Sequence, residues 1–306
     1  MSNRLKIYFA WTNGVRDKDR FDRWNDGLRA AMRLIEKAHD VTYGEPEDDI
    51  SLDTDWILFW EAGCTMDSPH DGWKYKKLLE HPSKKALLFA GGPVRPQYFH
   101  GFDHIFVESA INKEEFDQWG FPNSTAFGVN TDIFKPVDVE KTHTTVTHGT
   151  SASWKRQWLV GEAFGSEALV FGQFQATDPR PFDDCIKFGA TVLPEQSYED
   201  TAKLLNSAHV AVNCADYWGG GQRQSLESLA CDIPIVVMTD SPKNREFVEE
   251  SGIGKICDPE VGHIRTAVEE LKGIKGGRDY VMSKWSHVHY AENILKIICP
   301  QQHTTI

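Results

Sequence analysis

The sequence predicts an α/β protein built from two parallel-sheet domains. Three observations carry this. Apolar runs of strand length alternate with amphipathic runs of helix length through the first half of the chain. A polar stretch with a proline and no apolar period, TDIFKPVDVEKT (131–142), then interrupts the pattern as a linker. After it the same alternation restarts. Strands separated by helices imply right-handed βαβ units and a mostly parallel sheet. At 306 residues the chain is long enough for two such domains, each with its own core.

LKIYFAW (5–11) reads as a buried strand, and Asn13-Gly14 follows it in a loop. The next helix carries Phe21, Trp24, Leu28, Met32 and Ile35 on its apolar face. DWILFWEA (55–62), KKALLFAGG (84–92) and DHIFVESA (103–110) are expected as strands, SPHDGWKYKKLLEH and NKEEFDQWG as helices, and STAFGV (124–129) as the closing strand. Beyond the linker, TTVTHGT is expected as a strand, SASWKRQWLVGEAFG as a helix and EALVFGQF as a strand. DDCIKFGATVL reads as another strand, YEDTAKLLNSA as a helix and HVAVNCA as a strand. GGGQRQSLESLACDIPIVVMTD (219–240) supplies a glycine run, a helix and an apolar strand. PKNREFVEES and HIRTAVEELKG are expected as helices, and DYVMSKWSHVHYAENILKII as one long amphipathic helix.

Composition narrows the class. With 40% hydrophobic and 25% charged residues the chain reads as soluble and globular. No apolar run approaches the roughly 18 residues of a membrane helix, and the N-terminus enters a strand pattern without a signal-peptide core. Six scattered cysteines (64, 185, 214, 231, 257, 299) form no C-x-x-C pair, which fits a reducing cytosol and argues against zinc or a disulfide framework. The twelve histidines show no metal spacing, so no metal is expected. A net charge of −12 argues against a protein that mainly coats nucleic acid. Two basic patches run against that average: the lysines of WKYKKLLEHPSKK (73–85), and Arg29, Arg33 and Lys37, which recur every four residues along one helix face. Such patches read either as solvated faces or as a surface for a phosphate-bearing acceptor.

The stretch 219–240 raises the functional question. Glycines let a ligand approach the backbone closely, and a helix N-terminus offers unpaired N–H groups and a positive dipole end to an anion. An ordinary strand–turn–helix would look the same, so other segments have to decide. Four of them, in order, resemble the two-domain GT-B glycosyltransferases, closest to family 4, the retaining nucleotide-sugar transferases. FGVNTDIFKP (127–136) matches the family's G-V-D-x-x-x-F-x-P segment, with Asn130 where Asp is usual. THGTSASWKRQWLVGEAF matches a strand–loop–helix beginning G-R-x-x-x-x-K-G, with Gly149 and Lys155 at its glycine and lysine. YEDTAKLLNSAHVAVNCA matches the helix and strand before the donor site, and SLESLACDIPIVVMTD matches E-A-M-A-x-G-x-P-V-V-A-T-D. The likeness is strongest from residue 127 to the end.

The resemblance implies a first, acceptor-side domain over 1–135, a nucleotide-sugar domain over 136–276, the two facing each other across a cleft, and a C-terminal helix over 277–306 that returns to the first domain. It implies transfer, with retention, from a nucleotide-diphosphate sugar, uridine rather than guanosine, to a hydroxyl acceptor. It places the ribose-binding glutamate on Glu227. Lys155 and Arg156 are the expected catalytic cations, because the departing nucleoside diphosphate gains negative charge as the glycosidic bond breaks. Gly149, His148, Gly219, Gly220, Gly221, Gln222 and Arg223 complete the expected donor side; Asn13, Gly14 and Glu61 are the acceptor-side candidates. Three departures touch catalysis: Gly219 stands where the family has a sugar-contacting glutamate, Thr150 where it has an arginine, and Gly91-Gly92 where it has a first-domain histidine. The rival readings are a nucleotide-sugar epimerase of the same fold and a non-catalytic nucleotide-sugar binder. The expected acceptor is soluble: a small molecule, a glycan, a protein or, given the basic patches, a hydroxylated base in DNA.

Overall fold

The computed structural model describes residues 4–11, 26–61, 75–89, 99–174, 178, 180–217, 220 and 222–300. Among them the chain forms two compact units, residues 1–127 with 287–306, and residues 128–286. Each unit is built on a six-stranded, wholly parallel sheet.

In the first unit the strands are β1 (Lys6–Trp11), β2 (Asp40–Gly44), β3 (Trp56–Glu61), β4 (Lys84–Phe89), β5 (His104–Val107) and β6 (Asn123–Thr125), in the order β2-β1-β3-β4-β5-β6. The helices are α1 (Gly27–Ala38), α2 (Lys76–Glu80) and α3 (Ala110–Gln118). Both faces of the sheet are buried, as a parallel sheet requires. Tyr8, Ala10, Ile57, Phe59, Leu87, Phe89, Ile105 and Val107 alternate along their strands onto one face, against Tyr75, Phe99 and Phe116. α1 begins at Asp26, whose carboxylate accepts from Arg29 N at 2.8 Å, a regular N-cap. It buries Leu28, Met32 and Ile35, as its period predicts, while Phe21 and Trp24 lie outside the described residues. β2 is an element that the apolar pattern did not announce, since DVTYG has a single aliphatic side chain.

The second unit holds β7 (His143–His148), β8 (Ala168–Phe171), β9 (Thr191–Leu193), β10 (Ala208–Asn213), β11 (Ile235–Met238) and β12 (Gly254–Cys257). Their order, β12-β11-β10-β7-β8-β9, is the 3-2-1-4-5-6 arrangement of dinucleotide-binding folds. The helices are α4 (Trp158–Phe164), α5 (Arg180–Lys187), α6 (Tyr198–Asn206), α7 (Gln222–Ala230), α8 (Pro242–Ser251), α9 (Val261–Leu271) and α10 (Arg278–Lys284).

The structure corrects several readings. DDCIKFGATVL is not one strand: residues 180–187 are helical, burying Phe182 and Cys185 three apart on one face. The left-handed Gly189 (φ +87°) ends that helix, and only Thr191–Leu193 is extended. The long terminal helix is two, α10 and α11 (His287–Ile298). The break falls where Trp285 O accepts from Val129 N at 2.8 Å and Ser286 bridges Val129. α11 packs on α1 and so belongs to the first unit. Residues 128–135 belong to the second, where Arg278 donates to the carbonyls of Thr131, Phe134 and Ala230. Of the two basic patches, Arg29 and Lys85 are buried, whereas Lys76 and Lys77 are exposed. Arg29 is 2% exposed, held by Glu36 at 2.9 Å and by Tyr43. Lys85 is buried on Ser83 O, Lys77 is paired with Asp49, Lys76 with Glu80, and Lys84 lies over Trp56. Lys74 lies outside the described residues.

Candidate functional site

In a sheet of this order, chain direction reverses between β7 and β10, and ligands of such sheets bind beyond the strand ends at that reversal. β7 ends at His148 and β10 at Asn213. Five segments converge there: the loop after β7, the end of β8, the loop after β10, the start of α7 and the start of α8.

The loop after β7 is shaped by two glycines. Gly149 has φ +111° and Gly172, after β8, has φ +145°. A Cβ on Gly172 would lie 2.0 Å from Gly149 O, so the two backbones touch in a way only glycine permits. Gly149 N donates to Phe171 O at 3.0 Å and Ser151 N to Gln173 O at 2.8 Å, fixing the loop to β8. A 3-10 turn, Ser153–Lys155, then leads towards α4. Lys155 Nζ comes within 3.7 Å of the position a Gly149 Cβ would take, which puts an ammonium over the glycine.

Arg156 has a different part. It is left-handed (φ +48°), and its Nε donates to Cys214 O at 2.7 Å. Both terminal nitrogens reach Asp240 at 2.7 Å in a bidentate pair. Burial works against its charge, but the Asp240 hydrogen bonds and the carboxylates of Asp240 and Asp216 outweigh it and hold the guanidinium protonated. The Arg156 hydrogen bond in turn holds the Asp240 carboxyl below the usual range. The side chain ties the loops after β7, β10 and β11 together.

Glu227, in the second turn of α7, is 4% exposed. Its Oε2 lies 2.8 Å from His148 Nε2. A carboxylate only accepts, so the Nε2 proton donates. The His148 ring stacks on Phe171 with centroids 5.3 Å apart, and its Nδ1 is buried without a partner. The sequence brought these two residues to one site on separate grounds; the structure joins them directly.

Beneath lies a polar network that periodicity could not reveal. Asn213 Nδ2 donates to Ser225 Oγ and to Asn244 Oδ1. Asn244 Nδ2 holds Gly220 O at 2.8 Å and also reaches Ser241. Gln224 donates to Thr147 Oγ1 and Val212 O. Lys243 is 2% exposed with its ammonium 5.5 Å over the Tyr217 ring. The signal available was polar residues within otherwise apolar strand and helix positions, VNCA and PKNRE. Gly220 is left-handed (φ +56°), and Arg223 is half-buried in the first turn of α7. Burial pushes the Cys214 thiol upward, which leaves it inert as a nucleophile.

Gly219 and Gly221, like Asn13, Gly14 and the Gly91-Gly92 pair, lie outside the described residues. Glu61 ends β3 in the first unit, its backbone in register with Phe89. Among the described residues no group of three or more His, Cys, Asp or Glu could hold a metal ion, and no helix is long and apolar enough to cross a membrane.

No protein-family model and no curated protein matches the chain. Solved structures do. A sucrose-phosphate synthase from Thermosynechococcus elongatus superposes with a TM-score of 0.72 at 12% identity, over 96% of this chain and 98% of that one. HepE of Anabaena, solved with UDP and glucose, gives 0.69 at 11% identity over 96% and 99%. AviGT4, a glycosyltransferase of avilamycin A biosynthesis, gives 0.65 at 16% identity over 97% and 98%. The chain has the GT-B fold of these glycosyltransferases, two Rossmann-like domains in one polypeptide.

Proposed function

We propose that the chain is a glycosyltransferase that moves a sugar from a nucleotide-diphosphate sugar to a hydroxyl acceptor, with retention of configuration. The observation that carries the reading is the buried Glu227, oriented by His148 at the strand reversal of the second unit. A carboxylate there accepts hydrogen bonds from ribose hydroxyls, as acidic side chains do in dinucleotide folds. The diphosphate meets the first turn of α7 and the Lys155 ammonium. As the bond from the anomeric carbon to the phosphate oxygen breaks, that oxygen takes up negative charge, which Lys155 stabilises; the acceptor hydroxyl bonds to the anomeric carbon on the same face and gives its proton to the departing phosphate oxygen. Arg156 enters this scheme as the brace of the site's loops, since its donors are committed to Asp240 and Cys214 O.

A uridine nucleotide is the donor we favour, in line with the UDP described for HepE. Asn13, Gly14 and Glu61 are the acceptor-side residues of the first unit. With Arg29 and Lys85 buried, we favour a small molecule, glycan or protein as acceptor over a hydroxylated base in DNA, in a cytoplasmic setting and without metal. The test is incubation with UDP-, GDP- and ADP-sugars and an acceptor panel, following nucleoside diphosphate release and the anomeric configuration of the product. Calorimetry showing no binding of any of these nucleotides would end the proposal.

A further inference from the structure

Away from the candidate site, the second unit holds a cavity of about 200 Å3 between the 3-10 turn Ser153–Lys155 and the first turns of α4 and α5. Its walls are Ser153, Trp158, Asp178, Arg180, Pro181 and Asp184. α4 packs on Val210 and Val212, whereas the next residue of β10, Asn213, turns to α7. The cavity therefore lies across the sheet from Glu227.

Size and charge narrow the occupant. Drug-sized ligands fill about 300–1,000 Å3, so this cavity takes a single ring. The charges on its rim cancel. Asp178 accepts from Arg180 Nε at 2.8 Å and from Ser153 N at 2.9 Å, and Asp184 Oδ1 accepts from Lys187 at 2.7 Å. A lone anion or cation meets no uncompensated partner there. Hydrogen-bonding capacity is left over, however. Among the described residues the Asp184 carboxylate binds only Lys187, and the Arg180 guanidinium binds only Asp178, through Nε. Beside these groups stand two apolar rings, the half-buried indole of Trp158 and the buried Pro181. A flat apolar wall, edged by acceptors and donors that sum to no net charge, suits a pyranose. Such a ring has a face of C–H groups and a rim of hydroxyls that both donate and accept.

We propose that this cavity binds one neutral saccharide ring, its C–H face on the Trp158 indole and its hydroxyls on Asp184 and Arg180, as a sugar site separate from the donor site. The inference goes beyond the nucleotide-sugar reading and does not depend on it.

The ten tryptophans provide the probe. In a 1H–15N spectrum the indole signal missing from Trp158→Phe belongs to Trp158. The natural chain is titrated with methyl glucoside, methyl mannoside, methyl galactoside and maltotriose, with glucosamine and glucose 6-phosphate as charged probes, and with UDP. A neutral saccharide should move the Trp158 signal and saturate in the millimolar range expected of one ring. Followed on the ligand's own resonances, its affinity should fall by about 3- to 10-fold in Trp158→Leu and by less in Trp158→Phe, which keeps a ring. Asp184→Ala, at a partly exposed position, should lose about 3- to 10-fold with the Trp158 signal still readable. It keeps the test open if leucine prevents folding. UDP affinity, measured by calorimetry, should be the same in these variants as in the natural chain. If no neutral saccharide moves the Trp158 signal, the inference is overturned. So it is if a charged probe binds about 10-fold tighter than the neutral ring, or if UDP displaces the saccharide and so claims the cavity for the nucleotide. UDP binding by the natural chain judges the nucleotide reading separately.

Discussion

Replacing Glu227 with glutamine should weaken nucleoside diphosphate binding about five-fold and leave the fold intact. Glu227 gives one oxygen to His148 at 2.8 Å, both side chains being more than nine-tenths buried, and in the proposed complex the other accepts from the ribose. A hydrogen bond to a charged acceptor contributes about 1.5–3 kcal/mol and a neutral one about 0.5–1.5 kcal/mol. Glutamine can keep its one acceptor oxygen on His148 and turn its NH2 to a ribose hydroxyl oxygen, but it loses the charge, a difference of about 1 kcal/mol, which is close to five-fold in Kd. Glu227→Ala removes every bond, so affinity should fall by about 1–3 kcal/mol, or about 5- to 150-fold. Alanine also strands the His148 Nε2 proton in a buried pocket, with a stability loss of about 1–3 kcal/mol. Because the two effects have one origin, a stability cycle of His148→Phe against Glu227→Gln should show coupling of at least about 0.5 kcal/mol. Calorimetric titration gives the affinities and urea unfolding the stabilities. A folded Glu227→Ala protein with unchanged affinity for the nucleoside diphosphate removes Glu227 from the site.

Further outcomes follow from the same geometry. Lys155→Ala should lower kcat, on the order of 100-fold, more than it raises donor KM, because the leaving group gains its charge only in the transition state; steady-state kinetics showing the loss in KM alone would make the lysine a ground-state contact. Gly172→Ala puts a Cβ 2.0 Å from Gly149 O at a left-handed φ, so unit 2 should lose about 3 kcal/mol or more and the nucleotide with it; a variant with the natural urea midpoint contradicts the close crossing. Burial first, and then the Arg4 charge, lower the His39 pKa from its ordinary 6.5, and its Nδ1 accepts from Leu5 N at 3.2 Å. The depressed value means that the unfolded chain takes the proton first, so stability is full above about pH 6.5 and falls below it, by at most about 1.4 kcal/mol per pH unit. His39→Gln should flatten that limb in urea unfolding between pH 7 and 5.5, and an unchanged limb would assign it to other groups.

The fold was readable where hydrophobic period was strong. β1, β3, β4, β8, β10 and β11 are continuous apolar runs because both faces of a parallel sheet are covered, and α1, α6 and α9 show a clear stripe. Reading failed where period and burial part company. The run DDCIKF looks extended, yet residues 183–187 are helical in α5, where Phe182 and Cys185 fall on one face. β2 and β12 are edge strands with few apolar residues, so the sequence pattern had little to show there. At the candidate site, motif order pointed to Gly149, Lys155 and Glu227; Lys155 lies over Gly149, and Glu227 meets His148, the residue before Gly149. It did not point to Asn213, Asn244 and Lys243, because a polar residue inside an apolar element reads as noise until its partners are known. Arg29 and Lys85 were misjudged for the same reason, since a charge in sequence carries no record of the carboxylate or carbonyl that will bury it.

Topology explains why the site falls where it does in the second unit. From β7 the chain moves through α4 to β8 and through α5 to β9; from β10 it moves the other way, through α7 and α8. Right-handed crossovers in opposite directions place the two sets of helices on opposite faces. Successive residues of β10 record this: Val210 and Val212 pack with Val160 of α4, whereas Asn213 binds Ser225 of α7 and Asn244 of α8. The loops leaving β7 and β10 therefore diverge, and the first turn of α7 and the loop before α4 open onto the gap between them. That much would serve any anionic ligand. What makes the gap particular is the side chains that cross it: His148 from the end of β7 meets Glu227 from α7, and Arg156 reaches from the β7 loop to the ends of β10 and β11. A carboxylate kept buried and oriented beside an ammonium and a helix start offers one group suited to hydroxyls and two suited to phosphate. A nucleoside diphosphate carries both, and a bare phosphate or an uncharged sugar carries only one.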